Sequence, residues 1–370
     1  MRKFMTVLAV LALVVLVAAP VMAQDRPGLA DFLVEDGRFN TLLAAVGAAG
    51  LTDALGTEGP ITVLAPTDDA FAALPLGAVD FLLRNPEVLA GVLTSHVIPG
   101  EAYTLREIAG GATVDSFSGE PVTFALADGV LTANGVVISS VDKLVSNGVV
   151  HILDGVIVPA AAAEALAAAT SQVRVAHFSP DGGAVNVAVE GNTLLEGVEF
   201  GTISDWVPMV EGVYSIRVSG AGENNADLLR TITTRVPGGA HITVAARGIV
   251  ETGDFALQFI PEDFSSIGEG QARVTVFHAI QNAPAVDVRA NGAVVISNLG
   301  YPGTLGDNDG VDTVNVAAAT YNIQVVPFGA TEPVILDLPG VTFAPNTNYF
   351  VAAIGTPTSP SFALVSSPGG

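Results

Sequence analysis

The chain has 370 residues, half of them hydrophobic, with 37 acidic side chains against 14 basic ones and a formal charge of −23. A field of that sign repels phosphate backbones and anionic lipid, which removes nucleic acid from the expected partners. There is no cysteine, and so no disulfide framework, no thiolate chemistry and no lipidated N-terminal cysteine.

In chain order, Arg2 and Lys3 precede an apolar run over residues 7–19, and Val21-Met22-Ala23 fits a small-residue cleavage site. This predicts a signal peptide over residues 1–23; the alternative, an uncleaved anchor, is disfavoured by Pro20 and the cleavage pattern. The mature chain would keep 12 basic residues, Lys143 its one lysine, and no later segment is apolar enough for long enough to span a bilayer. Leu29, Phe32 and Leu33 begin an amphipathic helical pattern that Phe39, Leu42, Leu43 and Val46 continue as far as Gly47 and Gly50. Residues 62–75, TVLAPTDDAFAALP, read as strand, turn and helix. Pro66 pushes Ala65 towards extended geometry, and Thr67 or Asp68 can cap the helix that carries Phe71. Asp69 stands in the same first turn, so capping is a simpler role for the two aspartates than paired carboxylates.

Further helices are predicted at 79–84, stopped by Asn85-Pro86, and at 88–96, stopped before Pro99-Gly100. The period then changes to two. Strands at 122–126, 130–132 and 136–138, joined by Asp128-Gly129 and Asn134-Gly135, predict a meander of hairpins. Residues 146–159, SNGVVHILDGVIVP, place one more strand between Asn-Gly and Asp-Gly turn signals. Helices first and strands second make residues 28–160 an α+β domain.

The stretches at 62–75 and 146–159 together resemble the paired conserved segments of the fasciclin domain, an adhesion module of secreted and surface proteins, and the resemblance spans nearly the whole of that domain. It implies a binding surface around Thr67, Asp68, Asp69, Phe71, His96, Asn147 and His151, most of which would build the scaffold of the site. It also implies that Asp68 and His96, which occupy the positions of the family's acidic residue and of its histidine before the meander, hydrogen-bond to each other and fix the imidazole tautomer. Two departures stand out. The Tyr-His pair that usually ends the third helix is Ser95-His96, and the Asp-Ile pair with which animal members engage integrins is Asp142-Lys143. Integrin binding is therefore not implied, although Asp142 is retained.

Residues 161–172 open on an alanine run, expected as a short helix and stiff connector. The remainder repeats itself. VRVAHFSPDGGAVNVAVEGN from Val173 aligns with VTVFHAIQNAPAVDVRANGA from Val274, matching His177 with His278, and further on Tyr214 matches Tyr321 and Phe255-Ala256-Leu257 matches Phe362-Ala363-Leu364. The extra residues of the second copy fall in the loop Gly306-Asp307-Asn308-Asp309-Gly310. Two copies of alternating strands and Gly/Asn/Pro turns, at 173–268 and 273–367, read as two all-β, Ig-like sandwiches in tandem. They resemble an uncharacterised domain family of bacterial exported and envelope proteins, a resemblance that implies little about activity.

The search for catalytic chemistry is empty: no Gly-x-Ser-x-Gly, no His-Glu-x-x-His, no glycine followed by lysine, and no histidine at metal-ligand spacing from another. No cofactor is expected. His177 and His278, on apolar strands at one repeat position, read as structural histidines that hold a loop. Asp307, Asp309 and Asp312 are weak calcium candidates, since Leu305 and Val316 occupy the positions where an EF-hand needs ligands. Trp206, the one tryptophan, is either an exposed contact residue or a core or edge aromatic, the second being preferred.

The expected protein is secreted or held at the cell envelope, non-enzymatic, and adhesive through the first domain towards a cell-surface or matrix protein or polysaccharide. The repeats would act as spacer or second binding surface. The first rival is a glycan- or small-ligand-binding protein with an aromatic groove near Trp206, Tyr214 or Tyr301. The second is a hydrolase, which needs a Ser or Asp beside His177 or His278.

Overall fold

The structure is a computed structural model that describes residues 26–56, 59–221, 228–303 and 309–369. The signal-peptide expectation at 1–23 and the calcium candidate Asp307 lie outside the described residues. The chain divides into two compact units, 1–71 with 89–159, and 72–88 with 160–370.

The first unit starts with α1 (Leu29–Asp36) and α2 (Asn40–Ala48), then β1 (Ile61–Pro66) and α3 (Asp68–Ala72). After the insertion of α4 (Ala78–Arg84) come α5 (Pro86–Ser95), β2 (Val97–Pro99), α6 (Leu105–Ile108), β3 (Thr113–Asp115), β4 (Pro121–Ala127), β5 (Val130–Ala133), β6 (Val136–Val145) and β7 (Gly148–Leu153). One seven-stranded sheet runs β2-β1-β7-β6-β5-β4-β3. The two stretches singled out in the sequence are its central pair: β1 and β7 run parallel, from Ile61 opposite Gly148 to Pro66 opposite Leu153. Gly148 is needed there, because a Cβ would stand 2.0 Å from the Ile61 carbonyl oxygen.

All six residues of β1 are buried, since both faces of this central strand are covered. Leu64 faces a core with Ile98, Ile108, Phe124 and Leu153. The predicted hairpin turns are present, with Asp128 (φ 53°) and Gly129, and Asn134 (φ 49°) and Gly135, all left-handed as type I′ turns require. α4 ends at Arg84, as the Asn85-Pro86 stop predicts, and Pro86 is also the first residue of α5, where its missing N–H costs nothing.

In the second unit, α7 (Ala160–Ala169) is the short helix expected there; it runs directly into strand and buries Ala162, Leu166 and Ala169. The first repeat has β8 (Thr170–His177), β9 (Val185–Val189), β10 (Asn192–Val198), β11 (Val207–Val210), β12 (Gly212–Gly220), β13 (Leu228–Val236), β14 (His241–Arg247) and β15 (Ala256–Glu262). The second has β16 (Gln271–His278), β17 (Val286–Ala290), β18 (Ala293–Leu299), β19 (Val311–Ala317), β20 (Thr320–Pro327), β21 (Leu336–Thr342), β22 (Thr347–Thr356) and β23 (Ser359–Pro368). Each repeat is a pair of four-stranded sheets in the same order, β10-β9-β12-β13 with β11-β8-β14-β15, and β18-β17-β20-β21 with β19-β16-β22-β23. The first strand of each repeat pairs in parallel, β8 with β14 and β16 with β22.

The tandem copies are not beads on a string. Val173, Val175, Val244 and Ile216 fill the core of the first sandwich, and Val288, Ile296 and Val325 belong to that of the second. A further core joins Ala176, Phe178, Ala245 and Ile260 to Phe277, Phe350, Ala352 and Ile354. The β8 and β16 sheets therefore pack face to face, and the repeats form four stacked layers. Residues 72–88 also pack here. Leu76 lies against the first repeat's core, its carbonyl accepts the Val210 N–H, and a Cβ on Gly77 (φ +85°) would collide with the Tyr214 hydroxyl.

Candidate functional site

The strand-turn-helix unit is held from two directions. Thr67 accepts the Ala70 N–H through Oγ1 at 3.2 Å, so Thr67 is the residue that caps α3. Asp68 does something else. Its carboxylate takes the Thr41 N–H at 2.7 Å, the Asn40 N–H at 3.3 Å and the Asn40 side-chain amide at 2.9 Å. It thereby caps α2, twenty-seven positions back, and the Asp68 N–H donates to the Arg38 carbonyl. Burial pushes its carboxyl up, but the N–H donors from Thr41 and Asn40 win and hold it below the usual range.

The expected Asp68–His96 hydrogen bond is absent, because each partner is fully engaged elsewhere. His96 is buried; its Nδ1–H donates to the Val92 carbonyl at 2.7 Å and its Nε2 accepts the Ile157 N–H at 3.0 Å. Those bonds fix the tautomer and tie the end of α5 to the segment after β7. Burial drives the imidazole pKa down to about 4, against the opposing pull of the Val92 carbonyl.

His151, also buried, uses the opposite tautomer. Its Nε2–H donates to the Tyr103 carbonyl at 2.8 Å, and its Nδ1 accepts the Asp142 N–H at 3.3 Å. Burial lowers its pKa as well. Asp142 sits at φ 57° in a bulge of β6, exposed, with its carboxylate on the Leu105 N–H that opens α6. Asn147 lies at the β6–β7 turn, and its carbonyl accepts the Ile61 N–H that starts β1. Phe71 is buried. Of the residues singled out, Thr67, Asp68 and Asp69 come together, lining a depression of about 400 Å³ with Gly37, Arg38 and Asp154. Thr67, Phe71, His96 and His151 are scaffold, while Asp69, Arg38 and Asp154 are exposed.

The capping box Thr104–Glu107 of α6, which positions the loop that His151 holds, was missed although Thr-Leu-Arg-Glu is its sequence signature.

In the repeats, Trp206 is half-buried and packed, not an open contact residue. Its Nε1–H reaches Ser367 Oγ at 3.2 Å, its ring meets His241 and Phe264 edge-on, and the Arg174 guanidinium lies 4.1 Å from its ring centre. Tyr214 and Tyr301 are buried, so no aromatic groove forms around these three residues. His177 and His278 do hold loops as expected, donating from Nε2 to the Gly183 and Pro284 carbonyls, at matching positions of the two repeats. Beside His177 it is the backbone N–H of Ser179 that faces Nδ1, at 3.4 Å, while the Ser179 hydroxyl donates to Asp181. The matching residue of the second repeat is Ile280, so the hydrolase arrangement does not recur. Asp309 and Asp312 turn their carboxylates to the Val311 and Thr313 N–H groups, and no set of three metal-ligating side chains occurs among the described residues.

Residues 37–159 match the fasciclin domain family. Over 131 residues the chain is 42% identical to an uncharacterised protein of Synechocystis (sll1735), an alignment covering 35% of this chain and 97% of that protein. The chain belongs to the fasciclin domain family. A second Synechocystis protein, sll1483, is 49% identical over 123 residues, 33% of this chain and 67% of its own. The fasciclin domain is also 38% identical over 131 residues to transforming growth factor-beta-induced protein ig-h3 of Sus scrofa, covering 35% of this chain and 19% of that one. Beyond the fasciclin domain, residues 171–289 and 272–368 both match a domain of unknown function, DUF4397.

Proposed function

We propose that this is an exported, non-enzymatic adhesion protein that engages a cell-surface or matrix protein or a polysaccharide through its fasciclin domain. The four-layer repeat body would serve as a rigid support. The observation that carries the reading is the engagement of the chemically capable side chains. His96, His151 and Thr67 spend their polar atoms on main-chain groups of the fold, and Asp68 spends its carboxylate on the Thr41 and Asn40 N–H groups and the Asn40 amide. That is the chemistry of a scaffold presenting a surface, and weak surface contacts gain strength by multivalent display. The contact surface is assigned to the exposed rim of the depression, Arg38, Asp69 and Asp154. Export is supported by the basic and apolar start of the sequence with its small-residue cleavage pattern.

The test is binding of the full chain to intact cells and to immobilised polysaccharide, with and without calcium. Charge reversals Arg38→Glu and Asp69→Lys in the fasciclin domain are compared with Arg217→Glu on the exposed face of the first repeat. Loss of binding confined to the first pair supports the reading. Loss confined to Arg217→Glu moves the function to the repeats.

A further inference from the structure

A second feature of the first unit has no part in that surface. Between α1, α2, α5 and the β1–β2 pair lies a cavity of about 300 Å³. Its walls include Leu33, Val46, Ile61, Val63 and Leu93, and β1 supplies one of them because its Ile61–Val63 face turns away from the Leu64 core. The mouth carries Phe117, which is 67% exposed. The loop under Phe117 is pinned by its own N–H, which donates to the Val97 carbonyl at 2.6 Å, so the ring is held in solvent by an ordered backbone.

Two polar side chains reach the lining, and neither has a donor to offer. Thr94 donates its hydroxyl to the Ala90 carbonyl at 2.7 Å, and both ring nitrogens of His96 are taken. No charged side chain is among the described lining residues. A ligand here gains mainly by burying apolar surface. A carboxylate or phosphate would lose its hydration with no partner in return, in a chain already at −23. The volume stands at the lower end of the ~300–1,000 Å³ usual for small-molecule sites. An apolar cavity of about 150 Å³ already stays dry and takes an aromatic hydrocarbon.

We propose that this cavity binds the uncharged hydrocarbon part of a neutral lipid, with Phe117 as the aromatic lip over which it enters. The site is separate from the depression assigned to adhesion, so its failure would leave the adhesion reading standing.

The experiment titrates the full chain with the neutral fluorophore N-phenyl-1-naphthylamine and then displaces it with dodecan-1-ol or with ionised laurate. One saturable site is expected, emptied by dodecan-1-ol and about tenfold less readily by laurate, since laurate would bury an unpaired charge. Val46→Phe, which places a ring in the cavity, should abolish that site with melting unchanged or raised. Phe117→Ala, an exposed change, should weaken it several-fold with melting unchanged. No saturable site in the unaltered protein overturns the proposal, as does wild-type affinity in folded Val46→Phe. Should Val46→Phe fail to fold, unchanged affinity in Phe117→Ala overturns it instead. Equal displacement by laurate overturns the neutral class of ligand.

Discussion

In the fasciclin domain the deeply buried polar side chains are neutral and bond to main chain. Thr62 joins Glu101 and Tyr103, His96 joins Val92 and Ile157, and His151 joins Tyr103 and Asp142. In the repeats the deepest charged group is an ion pair. Arg174 and Glu262 are 2% and 4% exposed, meet at 2.8 Å through both carboxylate oxygens, share Thr243, and lie under Trp206 and Phe350. The difference follows from what each region must join. The first knits loops and helix ends, whose unpaired N–H and C=O groups a neutral imidazole satisfies without the cost of burying charge. The second stacks two complete sheets that have no backbone groups to spare across their faces, so a charged side chain buried between them must bring a side-chain partner, while His177 and His278 still bond to main-chain loops as the fasciclin histidines do.

Breaking the ion pair should give the largest effect. Arg174→Met leaves the buried Glu262 carboxyl without its cation and should cost about 3–5 kcal/mol, with Arg174→Met/Glu262→Met recovering most of it. Denaturant unfolding of the repeat transition measures this, and a single-mutant cost near zero would mean the pair is solvated.

Acidification should act on the first region. Folded His96 takes a proton near pH 4 and the unfolded residue near 6.5, so between those values the unfolded state holds more protons and stability falls as pH falls. Over the whole window that amounts to about 3 kcal/mol, and His151, shifted the same way, adds to it. Unfolding of the first unit at several pH values between 7 and 4 checks the slope, and a flat profile would contradict a neutral buried His96. His96→Phe should make the window shallower, leaving the part due to His151, while costing about 2–4 kcal/mol at neutral pH, because the Val92 carbonyl and Ile157 N–H lose their partner.

Smaller still, Asp68→Ala should cost about 1 kcal/mol through the lost cap on α2. The exposed Asp69→Ala should stay within about 0.5 kcal/mol of the parent. Equal effects of these two neighbours on the melting curve would remove the capping role.

Much of this was legible in the sequence. The strand-turn-helix unit, the Asp-Gly and Asn-Gly hairpins and the internal repeat all follow from local chemistry, and local chemistry is what a sequence displays. Asp68 shows the limit. Its place at a helix start made capping readable, but which helix it caps depends on the fold bringing Asn40 beside it. The parallel pairing of β1 with β7 is hidden for the same reason. The stacking of the two repeats did leave a trace that the sandwich reading passed over. Residues 242–246 (ITVAA) and 349–354 (YFVAAI) are continuous apolar runs, the mark of strands covered on both faces, whereas the outer strand β12 alternates. Arg174 interrupts such a run and reads as a surface residue until Glu262, Thr243 and Trp206 are placed around it.

The central claim is that the buried polar residues of the fasciclin domain build it and that the partner meets only its exposed rim. His151→Ala in the full chain tests it most directly, with melting of the first unit and binding to cells measured on one preparation, the binding well below the lowered melting point. The account predicts a lower melting temperature with cell binding retained. Binding lost at an unchanged melting temperature would contradict it.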